Sequence, residues 1–408
     1  MNASLVDSPR AWLRLAASVL VGTVAGVGMW SVVVALPVVQ AEFGAGRAAA
    51  ALPYTLTMIG FALGGVLMGR LADRWGLAVP LGGGAVALGL GYTAAAAAQS
   101  LWQFALAQGV LIGLLGSSAG FGPLIADVSR WFHRRRGLAV AICASSNYLA
   151  GVVWPPLVQH ATVAWGWRTT HLAIGAVCVV VLLPAALLLR HHPPRTDVGG
   201  PGPAPLPRRL PGLTPATLQG ALVLAGIACC VAMSMPQVHM VAYCGDLGYG
   251  VARGTEMLSL MLGCGIVSRL LSGWIADRIG GLSTLLLGSA LQAMALLFYL
   301  GFDGLTQLYV ISALFGLVQG GIVPSYAIVV RENFPPEQAG ARVGLVLAST
   351  LGGMALGGWL SGVVLDLTGS YPAAFANGIA WNALNLAVLL WLLLHGRANR
   401  PAAAPLHA

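Results

Sequence analysis

The sequence predicts an all-α membrane protein of twelve transmembrane helices, arranged as two pseudo-symmetric six-helix bundles. Three observations carry that prediction: a composition too apolar for a water-soluble domain, a dozen apolar stretches each long enough to cross a bilayer, and a loop pattern that occurs once in each half of the chain.

Of 408 residues, 58% are hydrophobic and 8% charged, whereas soluble domains carry about a quarter of their residues as charge. A hydrocarbon core about 30 Å thick needs roughly 20 apolar residues per helix. Stretches that satisfy this lie near 15–37, 50–70, 77–98, 102–126, 137–159, 169–189, 216–240, 256–275, 282–301, 306–330, 342–364 and 373–395. The apolar run after Arg10 and Arg14 is too long for a secretory signal and is read as a retained first helix.

All 21 basic residues are arginine, and their placement explains the net charge of +9 without nucleic acid. If the N-terminus is cytoplasmic, only Arg47, Arg168 and Arg253 fall in outer loops and Arg269 falls inside a span. All the other arginines lie on the cytoplasmic side, which by the positive-inside rule places both termini in the cytoplasm of an inner-membrane protein. The six cysteines show no metal-ligand spacing, so neither a metal nor another cofactor is expected.

Residues 190–215 are rich in Pro, Gly and Arg and read as a cytoplasmic linker. The expected organisation is a cytoplasmic segment 1–14, a first bundle 15–189, the linker 190–215, a second bundle 216–395 and a tail 396–408. After the second span stands Gly69-Arg70-Leu71-Ala72-Asp73-Arg74-Trp75-Gly76, and after the eighth stands Gly273-Trp274-Ile275-Ala276-Asp277-Arg278-Ile279-Gly280. Two copies at equivalent positions indicate duplication. Gly69 and Gly273 would admit a neighbouring helix, while Asp73, Arg74, Asp277 and Arg278 could pair locally or across helix ends as a conformational latch. Simple solvation of the loops is the alternative. Small-xxx-small pairs at Gly60/Gly64, Gly109/Gly113, Gly316/Gly320 and Gly353/Gly357 predict close helix crossings.

The paired loops, the six-plus-six layout and the central linker resemble the major facilitator superfamily over essentially the whole chain. Arg130-Trp131-Phe132-His133-Arg134-Arg135-Arg136-Gly137-Leu138-Ala139, then Trp154-Pro155-Pro156, and Asp366-Leu367-Thr368-Gly369-Ser370-Tyr371 between the last two spans, are similar to the monocarboxylate porter and oxalate/formate exchanger branch. The resemblance implies a monomeric carrier that binds its substrate near the bilayer midplane between the halves and exposes it to either side in turn. It also implies an eighth-span arginine on the substrate carboxylate. Animal members add an Asp one turn earlier and a first-span Lys; here Gly265 stands in the first place and the chain has no lysine.

Arg269 is the leading site candidate, because a charge in hydrocarbon costs about 2.5–3.5 kcal/mol even on the mild insertion scale, and its guanidinium fork matches a carboxylate. Snorkelling to the membrane surface or pairing with helix carbonyls is the competing explanation. His239 and Tyr243 share a helix face and could bind substrate and carry a coupled proton, or His239 could be hydrogen-bonded at the outer interface. Further lining candidates are Tyr54, Asn147 with Tyr148, and Gln319 with Tyr326, the last two placed two turns apart on one face.

No nucleophile–base set supports an enzyme, and the short loops offer neither a channel constriction nor a signalling domain. The expectation is a secondary transporter of a small organic anion, a monocarboxylate first, with protons as candidate coupling ion and the lipid bilayer as solvent. The alternative is a carrier or exporter of a neutral metabolite or drug-like compound, for which Arg269 would be dispensable.

Overall fold

A computed structural model describes residues 6–190 and 213–398. Most of the linker 190–215, with Arg195, Arg208 and Arg209, lies outside the described residues, as do residues 1–5 and 399–408. Among the described residues twelve helices are long and apolar enough to cross a membrane: Pro9–Glu42, Arg47–Trp75, Ala78–Ala96, Leu101–Trp131, Arg136–Trp165, Trp167–Leu188, Pro215–Asp246, Val251–Ile279, Gly281–Gly301, Leu305–Asn333, Gln338–Thr368 and Tyr371–His395.

Most of these exceed the expected spans because the helices continue past the apolar stretch. Arg47, Arg168 and Arg253, expected in loops, are first-turn helical residues. Ser8 caps the first helix through its hydroxyl, and glycines with positive φ at 76, 166, 280 and 369 end four helices where an L side chain would be strained. Turns of a few residues make successive spans antiparallel within each half. Arg70, Arg74, Arg130, Arg190, Arg278 and Arg331 therefore gather at one end of the molecule, the basic face; the other end is the far face.

Two apolar cores divide the chain. One is built around Leu15, Leu88, Ile112, Leu124 and Ile174, the other around Leu222, Leu285, Phe315 and Leu389. The predicted glycine crossings are present. A Cβ at Gly60 would stand 2.1 Å from the Gly109 carbonyl oxygen, at Gly316 2.1 Å from that of Met261, and at Gly357 2.5 Å from that of Val231. Bare backbone at these points lets the helices pack at a separation no larger residue permits.

The halves meet mainly along two helix pairs, with a smaller contact between the first and seventh spans. The second and eleventh spans join toward the far face, where Gly362 faces the backbone of Arg47 and Ala48, Gly358 faces the Tyr54 ring, and Thr55 donates to the Ala355 carbonyl at 3.0 Å. Nearer the basic face on the same helices, a Cβ at Gly65, Gly69, Gly340 or Gly344 would meet nothing within 4 Å among the described residues. The fifth and eighth spans touch through Gly151, which receives Leu262 and the Trp30 ring, and through Gly265, which receives Tyr148.

Among the described residues the repeated loops make no ion pair between the halves. Asp73 pairs with Arg130 of its own half at 3.3 Å, both exposed. Arg74 lies over Trp75 and Arg278 over Trp274, 5.4 and 3.7 Å from the ring centroids. Gly273, like Gly69, has no neighbour within 4 Å of a Cβ position.

Candidate functional site

Arg269 projects from the eighth span at the seam between the halves, ten residues before that helix ends at Ile279, or about 15 Å along its axis. Its Nη1 donates to the Ala144 carbonyl at 2.7 Å, its Nε makes a long bond to the Gly320 carbonyl at 3.5 Å, and its guanidinium carbon lies 4.4 Å from the centroid of Tyr148.

Both carbonyls lie at helix breaks. The fifth span is split between Arg136–Ala144 and Ser146–Trp165, and the tenth between Leu305–Gln319 and Ile322–Asn333. Pro324 leaves the Gly320 carbonyl without its i+4 N–H, and backbone carbonyls of this kind can solvate a buried cation without a carboxylate.

Glycines set the approach. A Cβ at Gly265 would stand 2.4 Å from the Tyr148 ring, and one at Gly320 2.0 Å from the Gly265 carbonyl oxygen. Among the described residues the ion pairs are Arg14–Asp127, Arg47–Asp246, Arg130–Asp73, Arg168–Glu42 and Arg253–Glu256. Arg269 has no acidic partner among them.

Two other candidates flank this centre in sequence. Asn147 precedes Tyr148; its backbone carbonyl accepts from Trp30 Nε1 at 3.1 Å, and its half-buried side chain has no hydrogen bond among the described residues. Gln319 precedes Gly320 and is fully buried; its Oε1 accepts from Gln237 Nε2 at 2.7 Å, leaving Gln319 Nε2 and Gln237 Oε1 unpartnered.

The remaining candidates lie elsewhere. His239 Nε2 is 2.9 Å from the Gly358 carbonyl oxygen and its Nδ1 is buried without a partner, so it faces the eleventh span, close to where Tyr54 meets Gly358. Tyr243 packs instead on Tyr371 and Phe375, with centroids 4.4 and 5.8 Å away. Gln319 and Tyr326, expected two turns apart on one face, are both fully buried, on either side of a short interruption at Gly320–Gly321 whose backbone stays right-handed helical. Tyr326 lies in the second half's core, donating to Asn385 at 3.1 Å, and Asn385 in turn donates to Asn382.

Arg14, expected on the cytoplasmic side, meets Asp127 of the fourth span. They form a buried pair at 2.7 Å, with Arg14 also bonded to the Leu189 carbonyl and lying over Trp131. A hollow of about 170 Å³ at the basic face, lined by Asp73, Asp127, Arg130 and Arg190, adjoins this pair and is separate from Arg269.

A cation solvated by broken helices, between two six-helix halves joined at one face, is the architecture of a membrane carrier. The family model described as Major Facilitator Superfamily matches residues 19–304 and 257–408, and the chain belongs to that family. It is a multi-pass membrane transporter and not an enzyme.

The chain is similar to monocarboxylate transporter 13 of Bos taurus, 30% identical over 76% of this chain and 72% of that one. It is 31% identical to monocarboxylate transporter 11 of Mus musculus over 75% and 70%. It is 26% identical to the MFS-type transporter pynF of Aspergillus niger over 74% and 69%. Among solved structures, a bacterial homologue of the human lysosomal transporter Spinster, inward-facing and unoccupied, superposes with a TM-score of 0.71 at 16% identity, covering 97% of this chain and 100% of that one. A D-xylose–proton symporter gives 0.68 at 14% identity, covering 93% and 96%.

Proposed function

We propose that the chain is a secondary transporter that moves a small organic anion, a monocarboxylate first, by alternating access, with Arg269 as the anion anchor. The observation that carries this reading is that Arg269, ten residues inside the eighth span, lies against carbonyls and an aromatic ring with no carboxylate partner among the described residues. A substrate carboxylate would supply the missing charge and accept a fork of N–H donors.

Asn147 and Gln319 stand beside the residues that hold Arg269 and would contact the rest of a small substrate. The arginine distribution supports cytoplasmic termini in an inner membrane. Protons are the candidate coupling ion, with His239 the buried titratable group near the seam.

The test is uptake of labelled small carboxylates into proteoliposomes, with and without an inward proton gradient, for wild type beside Arg269→Gln. Saturable uptake that the substitution abolishes supports the reading. Equal uptake by both proteins removes Arg269 as anchor.

A further inference from the structure

The helix that begins at Arg47 lacks a cap of its own. Its N-cap residue, Gly46, has the extended backbone of an N-cap (φ −68°, ψ 169°) but no side chain to accept from the first-turn N–H groups. The acceptor comes from the other half of the molecule. Asp366, at the far end of the eleventh span, takes the Arg47 N–H at 2.7 Å on Oδ1 and the Ala48 N–H at 2.9 Å on Oδ2.

The absence of a side chain at 46 is what admits it, since a Cβ there would stand 2.8 Å from Asp366 Oδ2. A second link adjoins the first. The Arg47 guanidinium pairs with Asp246 at the end of the seventh span, and Asp246 also accepts from the Tyr371 hydroxyl at 2.6 Å.

We propose that Asp366 is the gate residue of the far face, a helix cap supplied in trans that holds the two halves together there and must be released for that face to open. This rests on the alternating-access reading of the protein. A carboxylate at a helix N-terminus gains from both the orphan N–H groups and the helix dipole, and here that gain exists only while the halves touch. At the basic face the repeated loops make no such bridge, so the clasp biases the protein toward the conformation described here.

Two substitutions break the clasp by different routes. Asp366→Ala removes the acceptor. Gly46→Asp supplies the cap in cis from a backbone already in N-cap geometry, leaving the helix capped and expelling Asp366, so an effect on folding is separable from an effect on the gate.

Ala51→Cys is the reporter. Ala51 is fully buried, on the helix between Ala48, which meets Gly362, and Thr55, which meets Ala355. Its labelling by a membrane-impermeant maleimide applied to the far face of intact cells, in a Cys264→Ser background, measures opening.

Both Gly46→Asp and Asp366→Ala should accelerate labelling about tenfold, the population shift equivalent to one cap. The double variant should match the singles, because either change already removes the same contact. If substrate accelerates labelling of the reporter but neither substitution does, the clasp is overturned and alternating access stands. If the reporter stays unlabelled in every variant and with every substrate while uptake proceeds, the clasp and the two-faced cycle both fail.

Discussion

Arg269 of the second half donates to the carbonyl of Ala144 in the first half across 2.7 Å, joining the two bundles at a point where the fifth span is broken. The same group proposed to receive substrate thus also ties the halves together, and a bound anion would compete for its donors.

Arg269→Gln should reduce uptake kcat/KM about a hundredfold, the scale expected for losing charge-assisted hydrogen bonds. Arg269→Lys keeps the charge but not the planar fork and should lose about tenfold. Initial-rate uptake over a range of carboxylate concentrations distinguishes the two; equal losses would mean that charge alone matters.

Gly265→Ala places a methyl group where the Tyr148 ring now lies, 2.4 Å from its nearest carbon. The ring must move off Arg269, and transport should fall about tenfold, in keeping with a desolvated cation–π contact. Tyr148→Leu should cost a similar amount, and the double variant no more than the worse single, since both act on one contact. Additive losses would show that Gly265 acts on the helix crossing instead.

Asp127→Asn should destabilise the protein by about 3 kcal/mol, because it leaves the Arg14 guanidinium buried without its counter-charge; both side chains are 7% exposed. Replacing the pair together by leucines should recover most of that loss. Thermal unfolding of the purified proteins in detergent checks both statements, and a double variant as unstable as Asp127→Asn would refute the second.

Gly60→Ala and Gly69→Ala should separate packing from gating. The first meets the Gly109 carbonyl at 2.1 Å and should lower the melting temperature by several degrees; the second meets nothing within 4 Å and should melt as wild type. If Gly69→Ala nevertheless slows transport, the repeated loop is used in a conformation other than this one.

Tyr326→Phe removes the hydroxyl that donates to Asn385 inside the second half's core. The cost should be about 1 kcal/mol of stability, with KM unchanged. A raised KM with unaltered melting would return Tyr326 to the substrate path.

The number of spans, the division into two halves and the glycine crossings were legible in the sequence because each depends on local pattern: the length of an apolar run, the spacing of small residues and the recurrence of a loop. Arg269 was legible because a lone charge in a span is costly enough to demand a reason. Its partners were not. Ala144 and Gly320 act through backbone carbonyls; Pro324 leaves that of Gly320 without an i+4 N–H, whereas no residue type marks that of Ala144.

By itself, then, the sequence determined the solvent, the helices and the superfamily, since partition into a bilayer is decided residue by residue over about 20 positions. Only the tertiary structure decided which charges meet. Asp366 comes from the eleventh span and caps a helix more than 300 residues earlier in the chain, and such a contact depends on how the two halves are set against each other, which local composition does not encode.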